Sequence, residues 1–185
     1  MVEQAVLSAP DLLGTVLRLP AVYGPGDRQH RLRPYLRRMD DGRPAILLSE
    51  KQAGWQWTRG YVENVAAAIA LAVTDERAAG RVYNIGEATT PTEREWVGQI
   101  GAVAGWTGRI VTVPAERLPE PLRPPFDVRY GLATDTSRIR EELGYAEPVG
   151  RREALKRTIA WERRHRDTLP LDYASEDAVL RAEKP

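Results

Sequence analysis

Cysteine, long apolar runs and an excess of charge of either sign are all missing from this sequence of 185 residues. The absence of cysteine excludes disulfide bonds and thiolate chemistry. No apolar run reaches the length of a membrane span or of a signal-peptide core, so a cytoplasmic location is expected. With 27 basic and 26 acidic residues spread along the chain, the net charge is +1. No charged block therefore indicates a nucleic acid or an anionic membrane as partner.

Common catalytic and metal-binding signatures are also missing. The sequence holds no Gly-x-Ser-x-Gly nucleophile motif, so local sequence predicts no serine triad. His30 lies among arginines and His165 lies between two more, and neither has an acidic or histidine partner at metal-ligand spacing. We predict no metal site and expect both histidines to be solvated.

The sequence does contain an alternation of strand and helix patterns. Segments rich in β-formers predict short strands at 15–19, 45–48, 82–85 and 110–113. Caps and apolar spacing predict helices near 2–9, 34–41, 62–73, 92–104, 137–143 and 151–166, followed by a frayed tail after Asp167. The alternation predicts the α/β class, with few strands for a doubly wound sheet.

The stretch Leu17–Asp27, "LRLPAVYGPGD", reads as a strand that ends in a glycine-proline turn. A dinucleotide fingerprint needs Gly-x-Gly-x-x-Gly running directly into a helix, so that free amides meet the pyrophosphate. Here Pro25 removes one donor and Gln29 stands where the third glycine would be. We therefore predict a turn rather than a phosphate loop.

Arg59 lies just before a predicted helix start, where a guanidinium and the first-turn amides can face a phosphate. The alternative is an arginine that is exposed or paired with a carboxylate, and local sequence leaves both interpretations open. Trp55 and Trp57 alternate as in an edge strand, and packing is favoured over ligand stacking for them.

Taken in order, several segments resemble the C-terminal half of an extended short-chain dehydrogenase/reductase. This is the NAD-dependent epimerase/dehydratase family, which includes UDP-galactose 4-epimerase. The resemblance covers about residues 3–166 and is carried by Glu3-Gln4, Leu17 to Asp27, Arg59 to Val62, Tyr83 to Gly86, Asp135 to Arg138 and Glu142 to Tyr145.

The resemblance implies the C-terminal part of a Rossmann-type NAD(P)-binding fold plus a small α/β substrate-binding lobe, lacking the N-terminal glycine-loop strands. Residues 1–167 would form this portion, with late Rossmann strands near 15–19 and 82–85, and 168–185 a tail. The family's glycine loop and Tyr-x-x-x-Lys pair are expected upstream of position 1. None of the seven tyrosines here has a lysine four residues later, so no catalytic residue is assigned in this chain.

Site residues follow from the resemblance by position. Pro20, Ala21, Val22 and Tyr23 would line the nicotinamide end of a site for NAD or NADP in the full-length protein. No cofactor is expected for this chain alone.

The resemblance also implies substrate contacts at Arg59, Tyr61 and Asp127. Arg59 matches an arginine that binds the diphosphate of a nucleotide-sugar, whereas Ala21 replaces a frequent asparagine contact. Phe126 departs from the motif around the family's aspartate, which puts a nucleotide-sugar substrate in doubt.

The implied function is the substrate-binding portion of an NAD-dependent enzyme that acts on a sugar or nucleotide-sugar by reversible hydride transfer, inactive alone. Expected partners are the missing N-terminal half, another chain or a second copy in a homodimer, because a truncated sheet exposes strand edges. The alternative is a non-catalytic binding or interaction module on a degenerate short-chain dehydrogenase fold, with nucleic acid as a candidate ligand. Its basic face would comprise Arg28, Arg31, Arg33, Arg37 and Arg38.

Overall fold

A computed structural model describes residues 2–9, 13–124, 126–166 and 170–183. Its helices are α1 Val2–Ser8, α2 Arg33–Asp40, α3 Glu50–Gly54, α4 Val62–Thr74, α5 Glu93–Ala104, α6 Ser137–Leu143, α7 Arg151–Arg164 and α8 Ala174–Ala182. Its strands are β1 Val16–Arg18, β2 Ala21–Tyr23, β3 Ala45–Ser49, β4 Arg59–Tyr61, β5 Val82–Asn84 and β6 Arg109–Val113. Three 3₁₀ turns lie at Glu76–Ala78, Ala115–Arg117 and Glu120–Leu122.

The strands form three parallel pairs, β1 with β5, β2 with β4 and β3 with β6. Each pair joins strands that are far apart in sequence, with helices between them, which is the connection that parallel strands require. All five residues of β3 are buried, since helices or loops cover both of its faces. The predicted α/β class is thereby confirmed.

The main core lies around α5, between α2 and α7. Trp96, Val97 and Ile100 of α5 are at most 2% exposed and belong to one cluster with residues of α2 and α7. A second cluster lies under the alanine-rich α4, where Ala68 is fully buried and small side chains allow close packing. Both clusters hold the ends of β2, β4 and β5 in fixed positions.

Local signals predicted several helix ends correctly. Thr92 accepts a hydrogen bond from the backbone N–H of Glu95, and the Glu95 side chain reaches back to complete the capping box that starts α5. Gly144 ends α6 in the left-handed region at φ +73°. No helix in the described ranges has both the length and the apolar character needed to cross a membrane.

The prediction of a frayed tail is wrong for residues 174–182, which form α8. Glu176 is 3% exposed and accepts hydrogen bonds from Arg38, and Arg43 pairs with Asp177. On its other side, α8 packs Val179 against a small apolar cluster next to β3 and β6. The predicted boundary between 167 and 168 lies outside the described residues.

Acid is expected to loosen α8 before it opens α5. A hydrogen bond from Arg43 lowers the pKa of Asp177 below its ordinary value of 3.8. Because the folded-state pKa is the lower one, this stabilisation is present above the ordinary value and is lost as the pH falls through the folded pKa. Hydrogen exchange should show residues 174–182 opening faster, relative to α5, at about pH 3 than at neutral pH. In Asp177→Asn, the amides of residues 174–182 should exchange fast already at neutral pH. If the exchange rate of these residues relative to α5 did not change with pH, the Arg43–Asp177 pair would not be what holds α8.

Candidate functional site

A cavity of about 260 Å³ lies between α2, β3, α3, α5 and the segments 121–124 and 126–128. Its walls are mainly aromatic and apolar, and a few polar groups converge inside, as in ligand pockets generally. The residues that define it chemically are Tyr35, Trp55, Trp57, Arg59, Glu93 and Trp96, with Phe126 contributed by the segment 126–128.

A buried ion pair between Arg59 and Glu93 is the main polar feature of this cavity. The two side chains are 6% and 7% exposed, and Nη2 of Arg59 donates to Oε2 of Glu93. Arg59 is the first residue of β4, whereas Glu93 is the first residue of α5, directly after the Thr92 cap. The backbone N–H of Glu93 donates to the carbonyl of Trp55 at 2.8 Å. Both charges are thus held by regular structure.

Neighbouring aromatic residues fix this ion pair on both sides. The Tyr35 hydroxyl donates to Oε1 of Glu93 at 2.6 Å. Burial, and then the charge of Glu93, raise the pKa of Tyr35 well above its usual value, so the phenol stays a neutral donor. The guanidinium of Arg59 lies 4.6 Å from the centre of the Trp96 ring and donates to the Trp57 carbonyl at 3.3 Å. Of the two interpretations that the sequence left open for Arg59, the structure therefore shows the arginine paired with a carboxylate.

The three predicted substrate residues do not share one surface. Arg59 lines the cavity, but Tyr61 is fully buried and its hydroxyl donates to Glu63 at 2.9 Å. Asp127 is exposed and pairs with Arg129, whose hydrogen bonds lower the pKa of that carboxyl. The structure thus brings only Arg59 into the cavity, and the substrate roles of the other two stay predictions.

The predicted cofactor residues lie along β2 and just before it. Pro20 and Val22 are half-buried, whereas Ala21 and Tyr23 are 4% and 1% exposed. The Tyr23 hydroxyl donates to Glu87 at 2.7 Å, and burial raises the pKa of this tyrosine. Pro20 and Val22 therefore offer apolar surface to a ligand, whereas the side chains of the other two are enclosed by the protein.

The turn that follows β2 has the conformation of a tight reversal. Gly24 lies at φ +138°, and a Cβ placed there would meet Cγ1 of Val62 at 2.6 Å. Only glycine combines this dihedral angle with so close an approach to α4. The sequence Gly24-Pro25-Gly26 is thus a turn between β2 and the following loop, and it leads into no helix before Arg33.

The basic face of the alternative interpretation is largely neutralised. Arg31 pairs with Asp27, Arg33 with Glu162, and Arg38 with Glu176. These pairs remove most of the charge that a phosphate backbone would recognise.

Metal ligation finds no support either. Across the described parts of the chain, no group of three or more acidic or histidine side chains could hold a metal ion. His30, which was expected to be solvated, is partly buried, and its Nδ1 lies 2.9 Å from the Glu162 carboxylate.

Tyr35, Glu93 and Trp96 were not singled out as site residues by the sequence analysis. A local signal existed for Glu93, because the capping box fixes it in the first turn of α5. Nothing local indicated that this turn meets β4, which lies more than 30 residues earlier. Trp55 is 5% exposed and its ring centre lies 5.5 Å from that of Trp57, which agrees with the packing role expected for these two tryptophans. Both residues also line the cavity.

Comparison with known proteins gives consistent matches. Residues 1–86 match the NAD dependent epimerase/dehydratase family. A dTDP-glucose 4,6-dehydratase of Streptomyces griseus is 32% identical over 152 residues, which is 82% of this chain and 43% of that protein. One from Streptomyces niveus is 33% identical over 154 residues, with 82% and 42% covered. The chain thus spans less than half the length of these curated relatives.

Solved structures agree in fold. A dTDP-glucose 4,6-dehydratase from Streptomyces venezuelae, solved with NAD and TYD bound, is 26% identical with a TM-score of 0.62 over 88% of this chain and 48% of that one. UDP-glucose 4-epimerase from Thermotoga maritima superposes with a TM-score of 0.63 at 24% identity, covering 82% and 46%. The fold is therefore the expected Rossmann-type one, and the part of the chain that matches the NAD-dependent epimerase/dehydratase family is residues 1–86.

Proposed function

We propose that this chain is the substrate-binding portion of a cytoplasmic NAD-dependent epimerase/dehydratase that acts on a sugar or nucleotide-sugar by reversible hydride transfer. The observation that carries the proposal is the aromatic-walled cavity with Arg59 in its lining, in a chain whose relatives include dTDP-glucose dehydratases. Aromatic walls with few polar groups suit a ligand that has both apolar faces and hydroxyls.

The cofactor would be NAD or NADP in the complete enzyme, where it accepts and returns the hydride. The apolar surfaces of Pro20 and Val22 suit contact with a nicotinamide ring, because they present no competing charge. Ala21 and Tyr23 would contribute through the main chain, since their side chains are buried. We propose that this chain alone binds no cofactor, because it offers no glycine loop for the pyrophosphate.

The proton-transfer groups would come from outside this chain. Burial and the hydrogen bond to Glu87 raise the pKa of Tyr23 and hold it in its neutral form, and among the described residues no lysine acts to lower that pKa. We therefore propose that the isolated chain is inactive. A complementary polypeptide would supply the glycine loop and the Tyr-x-x-x-Lys pair.

The test is to join this chain to an N-terminal half from a dTDP-glucose dehydratase that carries both elements. We expect the fusion to convert dTDP-glucose or a UDP-sugar with NAD, detected by product chromatography and by transient NADH absorbance. The N-terminal half alone and this chain alone serve as controls and should show no conversion. A folded fusion that binds NAD but converts none of a panel of sugar nucleotides and free sugars would contradict the function. Conversion by this chain alone would contradict its inactivity.

A further inference from the structure

We infer that α8 sets the affinity of the cavity for its substrate, because it holds the outer wall of the cavity in place, with Glu176 as the positioning residue. The outer wall is the part formed by Arg38 of α2 and by Leu122. This inference rests on the proposed function and adds an element that lies outside the cavity. Of the described residues that line the cavity, none belongs to α8. Any effect of α8 on a ligand must therefore pass through the wall residues that α8 holds.

The first contact joins α8 to α2 through a buried ion pair. Nε of Arg38 donates to both carboxylate oxygens of Glu176 at 3.1 Å, and Nη2 donates to one of them. The side chains of Arg38 and Glu176 are 11% and 4% exposed. On the cavity side, Nη1 of Arg38 donates to the carbonyl of Pro34, which also lines the cavity. Glu176 therefore fixes the Arg38 side chain, since a buried charge without its partner is strongly disfavoured.

The second contact joins α8 to the proline-rich segment 114–124, which supplies Leu122 and two neighbouring residues to the wall. Proline has no backbone N–H, and within the described residues the backbone hydrogen bonds of this segment all stay inside it. Packing must therefore hold the segment against the rest of the chain. Leu118 is 1% exposed in the small apolar cluster next to β3 and β6, and Leu122, Val179 and Leu180 pack against that same cluster.

The two contacts depend on each other because they lie on one short helix. Glu176, Val179 and Leu180 have the i, i+3, i+4 spacing that places side chains on one face of a helix. A helix of nine residues is marginal in water without tertiary contacts. Loss of the ion pair with Arg38 therefore loosens α8 as a whole, and the packing that holds Leu122 is weakened with it.

The first test measures hydrogen exchange in the 185-residue chain without ligand. Glu176→Gln keeps the size of the side chain but removes the charge that Arg38 requires. We expect the amides of Leu122 and Arg123 to exchange at least about threefold faster, relative to α5, than in the wild type, because local opening costs less free energy. Glu141→Gln makes the same charge change at an exposed position of α6 and should leave this ratio unchanged. Equal ratios in the wild type and Glu176→Gln would overturn the inference.

A second variant covers the case in which Glu176→Gln fails to fold. Val179→Ala removes methyl groups beside the apolar cluster and changes no charge. The amides of Leu122 and Arg123 should again exchange faster relative to α5, because the packing is reduced. Val73→Ala is the matched control, since the same substitution is made at a side chain of α4 that is 79% exposed. If both valine variants exchanged alike, α8 would not be what holds the segment.

The effect on the substrate is measured in the fusion enzyme with dTDP-glucose. We expect Glu176→Gln to raise KM at least about threefold with little change in kcat, because Glu176 acts on the binding wall alone. A mere loss of stability would reduce the amount of active enzyme and so lower the apparent kcat instead. An unchanged KM would overturn the inference while the proposed function stands. If the fusion converts no sugar, the proposed function fails, and the exchange measurements still decide whether α8 holds the wall.

Discussion

Replacing Arg59 with alanine is expected to lower the free energy of unfolding by about 3–5 kcal/mol, because it leaves the carboxylate of Glu93 buried without its partner. The Glu93 side chain is 7% exposed and is fixed at the start of α5. Its other hydrogen-bond donor, Tyr35, does not supply a compensating charge. Urea denaturation followed by circular dichroism measures the loss.

A matched control is Arg129→Ala. Arg129 also forms an ion pair with a carboxylate, Asp127, but both side chains are largely exposed, so water replaces the lost partner. We expect no measurable change in the free energy of unfolding for this variant. If Arg59→Ala and Arg129→Ala were equally harmless, the Arg59 pair would not be a buried structural charge pair.

A double variant separates the interaction between Arg59 and Glu93 from the contribution that each side chain makes by itself. Arg59→Ala with Glu93→Ala removes both charges, so it should lose less stability than the sum of the two single variants. The cavity left behind would still cost packing against Trp96, which lies 4.6 Å from the guanidinium carbon. Strict additivity would show that the two side chains do not interact.

The isolated chain is expected to associate, to aggregate or to be poorly stable instead of behaving as a cooperative monomer. In the described ranges each strand pairs with only one neighbour, which leaves open strand edges that can recruit another chain. Large apolar side chains are exposed as well, with Val2 80%, Leu13 82% and Val73 79% accessible. Sedimentation velocity over a range of concentrations, together with thermal melting, measures the outcome.

Charged substitutions test which surface is responsible for the expected association of the chain. Val2→Lys with Leu13→Lys places two charges beside β1, and we expect it to shift sedimentation towards the monomer because lysine opposes edge pairing. The control for net charge is a variant with Thr107→Lys and Ala102→Lys, two substitutions at exposed positions. It should sediment as the wild type does. A well-behaved wild-type monomer with one sharp melting transition would contradict the prediction.

Much of the fold was predictable because its signals are local. The alanine-rich pattern of α4 and the capping box of α5 act within a few residues, and Gly144 ends its helix through its own backbone conformation. The strands β2 and β4 were not predicted as a pair. Each has three residues and is stabilised by the other across an intervening 35 residues or so, a contact that local patterns do not encode. The helix α8 was missed for the same reason, since Arg38 and Arg43 hold it from far upstream.

The sequence by itself determined the α/β class, the family resemblance and the conclusion that Gly24-Pro25-Gly26 is a turn, since these depend on residue order and on local backbone chemistry. Only the tertiary structure decided the state of Arg59. From local sequence, a phosphate contact and an arginine that is exposed or paired with a carboxylate were both open interpretations. Folding brings the first turn of α5 against β4 and places Glu93 at the guanidinium, in a space that water hardly reaches. Burial there makes an unpaired charge so costly that the partner is fixed before any ligand arrives.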